Sequence, residues 1–341
     1  MAEATGISWC DSTFNPWIGC TKVSPACDHC YAERLMDHRM HKVEWGAGRS
    51  RVRTSAANWR QPVRWEREHE AFALANKGRR RRVFCASLAD VFDNEVYPQW
   101  RTDLFELIDK TPHLDWLLLT KRVGNAAAML DHVSTALALR ETGAPWPPRP
   151  NVWLGATICN QEEADRDIPK LLAVPAAKRF VSIEPMLGPL DLQRWLWVCC
   201  GDMQPGNDHG MLGQEPDHCC GRPDHRDELH WVIAGGESGP QARPMHPDWV
   251  RSLRDQCAAA GVPFHFKQWG EFAPYDRGAV DSTLLATPKA LDGPMGRVGT
   301  KAAGRLLDGA EHNGVPTGTT TGATQAREST GRLLDSPGCA G

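Results

Sequence analysis

Six short apolar runs, each separated from the next by polar or helix-patterned sequence, constrain this chain more than any other feature. They are RVFCASL (82–88), LDWLLLT (114–120), NVWLGATI (151–158), KRFVSIE (178–184), HWVIAGG (230–236) and VPFHFKQW (262–269). Each is rich in Val, Ile, Leu, Phe or Trp, and most lack strict alternation, as strands covered on both faces of a parallel sheet do. Helical spacing lies between them. Pro98–Lys110 places Trp100, Leu104 and Leu107 on one face, Asn125–Arg140 follows the second run, and Gln161–Val174 follows the third. Pro247–Ala260 opens on proline and is followed by Gly261, a common start and stop for a helix. Strand and helix in repetition predict an α/β fold built from right-handed crossovers. A partial or full β/α barrel and an open doubly wound sheet both satisfy the pattern.

The 341 residues suffice for one large domain with a substantial core. Residues 1–275 are expected to form it, interrupted by 198–229, a stretch without periodicity that is rich in Cys, His, Gly, Pro and Asp. Residues 276–316 read as a C-terminal extension, of which GRLLDGAEHNGVP is expected to fold back on the body, and 317–341 read as a disordered tail. No stretch of about 18 apolar residues exists, so no membrane-spanning helix is expected. The start MAEATGISWCDS lacks a charged-then-apolar signal pattern, which predicts a cytoplasmic protein. A net charge of −3 points to no class of partner.

Twelve cysteines in such a chain call for chemistry, because a reducing compartment disfavours disulfides. Cys20, Cys27 and Cys30 share the run GCTKVSPACDHCYAERL, with six and then two residues between them. Three thiolates on one loop hold three corners of a metal centre and leave the fourth open, as reactive sites do. An iron–sulfur cluster fits this. The alternative is zinc, with a fourth ligand from Cys10, His29 or His38. A second set, Cys199, Cys219, Cys220 and His225, with Cys200, His209 and His218 nearby, has donors enough for zinc or an auxiliary cluster. Cys85 and Cys159 sit in or beside apolar runs and read as small core side chains.

The strand ends carry the other signal. Ser87 and Asp90 follow the first run, Thr120, Lys121 and Arg122 the second, and Thr157 and Asn160 the third. Glu184 ends the fourth, Gly235, Gly236, Glu237 and Ser238 the fifth, and Lys267 and Gln268 the sixth. Ligand sites of α/β folds lie at the C-terminal strand edge, so these side chains are expected at one mouth. Glu184 and Lys267 stand inside apolar runs, where a lone charge is costly unless paired or used. Lys121, Glu184 and Lys267 are therefore the candidate catalytic groups. A separate basic segment, 42–82, holds twelve Lys and Arg against four Glu, interleaved with Trp45, Trp59 and Trp65. Such a segment either grips phosphates and stacks bases or is a solvated face.

The segments SWCDSTFNPWIGCTKVSPACDHCYAERL, LLLTKR, SIEPMLGP, GGESGPQARPM and PFHFKQWGEF resemble, in order, the phage-associated three-cysteine-motif family, a radical-S-adenosylmethionine-like group of largely uncharacterised function. The likeness runs over most of residues 5–275 and reaches into GRLLDG. It implies a barrel of the radical S-adenosylmethionine type with three cysteines after the first strand binding a [4Fe–4S] cluster. The free iron of that cluster chelates S-adenosylmethionine, whose reductive cleavage yields a 5′-deoxyadenosyl radical that abstracts hydrogen from a substrate.

Carried onto this sequence, the resemblance makes Cys20, Cys27 and Cys30 the ligands and places Tyr31 near the adenine. Lys121 or Arg122 would pair with the methionine carboxylate, and Glu184 would hold ribose hydroxyls. The superfamily usually has three residues between its first two cysteines, and its Gly-Gly-Glu follows the second strand. Here GGE (235–237) follows a late strand, so Ser87 and Asp90 take the equivalent place. A reductant protein is implied as partner. The phage association and the basic segment together point to a nucleic-acid or nucleotide substrate.

Overall fold

The computed structural model describes residues 5–137, 148–196, 228–274, 291–292 and 295–316. Its frame is a seven-stranded, wholly parallel sheet. The strands are β1 (Ser12–Thr13), β2 (Arg81–Cys85), β3 (Leu114–Thr120), β4 (Val152–Thr157), β5 (Lys178–Ile183), β6 (Trp231–Gly235) and β7 (Phe264–Gln268). They lie side by side in chain order. A doubly wound sheet reverses its order at a switch point and sends helices to both faces. An unbroken order with crossovers of one hand keeps the helices on one face and curls the sheet around the other. The result is a half-barrel. All six predicted strands are present; β1 is an addition, only two residues long and held by pairing of Ser12 with Val83 and Thr13 with Phe84.

Among the described residues, the helices of 11–13 residues cover the outside: α1 (Pro98–Asp109), α2 (Ala126–Ala136), α3 (Gln161–Leu172) and α4 (Pro247–Ala259). Their starts follow local chemistry. The Asn160 side chain accepts from Glu163 N at 2.9 Å, and Glu162 and Glu163 in the first turn suit the positive end of the α3 dipole. Pro247 sits at the first position of α4, and Gly261 ends it at φ +66°, a conformation costly for other residues.

Side-chain alternation along the strands makes two cores. Outward residues such as Val83, Cys85, Leu118, Leu154, Val181, Val232 and Phe266 pack with Leu104, Ile108, Ile168 and Leu253 of the helices. Inward residues Phe84, Leu117, Trp153, Phe180, Trp231 and Ile233 form a smaller core with Trp9 and Cys10. Gly155 faces the same interior. A Cβ there would lie 2.4–2.6 Å from the Phe180 ring, so its absence leaves room for that ring.

The open side of the half-barrel is narrowed by flanking chain. Ser8 Oγ is 2.8 Å from His265 Nε2 on β7, and Val315 packs on the inner core. Residues 312–314 pair with the free edge of β7 (Phe266 N to His312 O, 2.9 Å; Gly314 N to Phe264 O, 2.9 Å) and so cover an edge that would otherwise be open. Trp231 Nε1 donates to Gly314 O at 2.7 Å. No helix among the described residues is long and apolar enough to cross a membrane. Most of the insert, with Cys199, Cys200, Cys219, Cys220, His209, His218 and His225, and the tail 317–341 lie outside the described residues.

Candidate functional site

The C-terminal ends of the strands open into a cavity of ≈ 420 Å³, within the range of small-molecule sites. Its walls bring together residues far apart in the chain: Cys20, Cys27, Cys30 and Tyr31, then Ser87 and Asp90, Lys121 and Arg122, Glu184, and Lys267. Every residue of the predicted first site is therefore at one mouth. Trp9, Phe84 and Leu119 form an apolar floor beneath them.

The cysteine loop follows β1 directly. Ser24 caps a short turn over Pro25–Cys27, its Oγ accepting from Ala26 N at 3.0 Å, and Cys30 precedes the helical turn Tyr31–Glu33. The loop is clamped from two sides. On one, Arg122 Nη1 donates to Cys20 Sγ at 3.1 Å and Nη2 to Thr21 O at 2.6 Å. The buried Arg51 reaches Thr21 Oγ1 at 2.7 Å while paired with Asp93 at 2.8 Å. On the other side, Arg243 donates to Pro25 O, to Asp28 Oδ2 and to both oxygens of Glu237, all at 2.7–2.9 Å. His29 Nδ1 lies 3.2 Å from Glu237 Oε1. Burial opposes the Glu237 charge, but donation from the Arg243 side chain and backbone holds its carboxyl below the usual range. Burial pushes the Cys20 thiol up to about 12, Asp90 adds to the rise, and Arg122 works against it.

Two of the predicted groups are tightly engaged by the protein. Asp90 accepts from Phe92 N (2.9 Å) and Thr120 Oγ1 (2.7 Å) on one oxygen, and from Lys121 N (2.9 Å) and Arg122 Nη1 (3.4 Å) on the other. It braces the ends of β2 and β3. Arg122 is spent on Cys20, Thr21 and Asp90. Lys121, by contrast, has no ion pair among the described residues, which leaves it as the available cation on that wall. Glu184 and Lys267 resolve the question of their lone charges by pairing at 2.5 Å, with Gln268 Nε2 3.4 Å from the same oxygen. Tyr31 presents a half-exposed ring, its hydroxyl donating to Ser87 O at 2.5 Å.

Other predicted groups sort differently. Cys10 belongs to the inner core, where burial pushes its thiol up to about 12, and it does not line the cavity. His38 is exposed. His29, Thr157, Glu237, Ser238 and Gln268 do line it, whereas Asn160 caps α3 and does not. The glycine of GGE answers to packing: a Cβ on Gly236 would fall 1.9 Å from Trp269 O. Arg51, Arg53, Arg79 and Arg80 are ion-paired with Asp93, Asp103, Asp11 and Asp115, and Trp65 is fully buried. Sequence reading missed Arg51, Ser182 and Arg243. Arg243 lies in the GGESGPQAR motif, but nothing in that motif says that its guanidinium crosses to the cysteine loop.

A family model described as a protein of unknown function (DUF5131) matches residues 4–316, nearly the whole chain. The chain belongs to the DUF5131 family. That match takes in the cysteine loop, all seven strands and the segment that covers the edge of β7. No curated protein and no solved structure matches it.

Proposed function

We propose that this protein is an iron–sulfur enzyme of the radical S-adenosylmethionine kind. The observation that carries the reading is the meeting of three thiols from one loop with an unpaired lysine, Lys121, in a cavity at the C-terminal mouth of a parallel half-barrel.

The donor set suits a cluster: three thiols from one loop line the cavity, and no fourth thiol among the described residues stands in its walls, which leaves one corner of a metal centre open. When bound, a [4Fe–4S] cluster charged by a reductant protein supplies the electron for reductive cleavage of S-adenosylmethionine and leaves one iron open to chelate it.

The chain's own residues would do the rest. Cys20, Cys27 and Cys30 hold three irons, with Arg122 donating to the Cys20 sulfur and so favouring the more reduced state. Lys121 takes the methionine carboxylate. The Tyr31 ring lies beside the adenine, and Glu184, oriented by Lys267, accepts from ribose hydroxyls. Trp9, Phe84 and Leu119 keep water from the reacting carbon.

Incubation of the anaerobically reconstituted protein with dithionite and S-adenosylmethionine tests this. 5′-Deoxyadenosine and methionine are expected in wild type and absent in Cys27→Ala. Equal traces in both, or none in either despite a loaded cluster, would overturn the reading as an enzyme.

A further inference from the structure

The loop after β6 carries Gly235, Gly236 and Glu237, and the Glu237 carboxylate reaches the cavity wall already engaged. Its Oε2 accepts from the backbone N–H of Arg243 at 2.8 Å and from Arg243 Nε at 2.9 Å. Its Oε1 accepts from Arg243 Nη2 at 2.7 Å and lies 3.2 Å from His29 Nδ1. A carboxylate offers about four acceptor positions, and these four nitrogens take up the places that a ligand ammonium would need. Only 6% of the Glu237 side chain is exposed.

The same guanidinium crosses to the cysteine loop. Nη2 also donates to Pro25 O, and Nη1 to Asp28 Oδ2, both at 2.9 Å. These acceptors belong to the turn that carries Cys27 and leads into Cys30, where Asp28 N donates to Pro25 O and Cys30 N to Cys27 O. A planar fork that spans both loops fixes direction as well as distance. The loop after β6 is itself held from behind. Glu271 Oε1 accepts from Gly239 N at 3.0 Å and from Thr300 Oγ1 at 2.7 Å. Arg297, in the strand Met295–Arg297, donates to Gly239 O at 3.3 Å and to Ala242 O at 3.0 Å. A Cβ on Gly270 would fall 2.2 Å from Glu237 O, so only glycine allows that backbone approach.

We propose that Glu237 and Arg243 are positioning residues for the cysteine loop. Braced by Glu271 and Arg297, the pair sets the Cys27–Cys30 arm against the Cys20 arm that Arg122 holds, and Glu237 does not itself bind S-adenosylmethionine. The six residues between Cys20 and Cys27 give the two arms no fixed separation of their own. Two arginines, one after β3 and one after β6, supply it. This inference rests on the cluster assignment for the three cysteines.

Wild type, Arg243→Gln, Arg243→Lys and Glu237→Gln, each as the full chain reconstituted anaerobically with iron and sulfide, test it. Arg243→Gln should lose iron several-fold, and the cluster it retains should show an altered EPR spectrum before any S-adenosylmethionine is added. Arg243→Lys keeps the charge and loses the fork, so it should fall between Arg243→Gln and wild type. Glu237→Gln should alter the same spectrum while changing the dissociation constant of S-adenosylmethionine by less than about 3-fold. Wild-type iron content and spectra in both Arg243 variants would overturn the proposal. So would a loss of ~10-fold or more in affinity on Glu237→Gln with an unchanged spectrum, which is the mark of a ligand residue. A wild type that takes up no cluster overturns the cluster reading, and hydrogen exchange of the metal-free chain then decides the clamp. Arg243→Gln should speed exchange at the amides of Cys27, Asp28 and Cys30 and leave α1 unchanged, and equal exchange in both proteins would contradict it. Should Arg243→Gln not fold, Arg243→Lys is read by the same measurements, with wild-type behaviour again contradicting the clamp.

Discussion

The two ends of the half-barrel interior use the same strand positions for opposite purposes. At the floor, Phe84, Leu117, Trp153, Phe180 and Trp231 fill the space with rings, and Gly155 gives up its side chain to fit one of them. At the mouth, the next inward positions carry small or polar groups, Ala86, Thr157, Ser182 and Glu184, around open space. One period-two alternation thus builds a packed plug below and an open cavity above. Stability and function are separated along the strand rather than between strands.

The largest break in that contrast comes from the floor. Trp231→Ala should cost ~3–5 kcal/mol in urea unfolding, while Glu184→Gln at the mouth leaves the midpoint nearly unchanged. Comparable losses for both would erase the distinction.

Acid probes the same floor. Burial pushes His265 down to about 3, with Arg305, Arg82 and Lys267 adding to the effect. A depressed folded-state value means that its contribution is whole above the unfolded value of about 6.5 and is lost as pH falls from there toward 3. Wild type should therefore lose a few kcal/mol over that window, and His265→Gln should lose less, as measured by unfolding at stepped pH.

The mouth answers in binding instead. Glu184→Gln should weaken S-adenosylmethionine binding roughly 10–100-fold, the worth of a hydrogen bond to a charged group, as read by equilibrium dialysis. The smallest effect is expected from Arg122→Gln. It removes the donor to Cys20 Sγ and should lower the cluster midpoint potential with little change in fold, as followed by EPR redox titration.

Much of this was legible in the sequence because buried parallel strands write themselves as uninterrupted apolar runs. The helices of the outer face followed from apolar spacing and, for α4, from Pro247 and Gly261. β1 was not legible: Ser12 and Thr13 carry no apolar signal, and their strand exists only by pairing with Val83 and Phe84. The polar strand ends named most of the mouth, yet they could not divide its members by task. Arg122 and Asp90 also brace the fold, which the sequence does not show because their partners come from segments remote in the chain. Part of the charge of the basic run 42–82 is likewise met from outside it, by Asp11, Asp93, Asp103 and Asp115.

The central claim is that the mouth is a three-thiolate cluster site with one open iron. Iron and sulfide analysis after anaerobic reconstitution, with EPR of the reduced protein before and after S-adenosylmethionine, tests it most directly. About four irons and four sulfides per wild-type chain, a signal that changes when S-adenosylmethionine is added, and loss of both in Cys20→Ala, Cys27→Ala and Cys30→Ala are predicted. A chain that takes up only zinc, or that retains iron equally without these cysteines, would contradict the account.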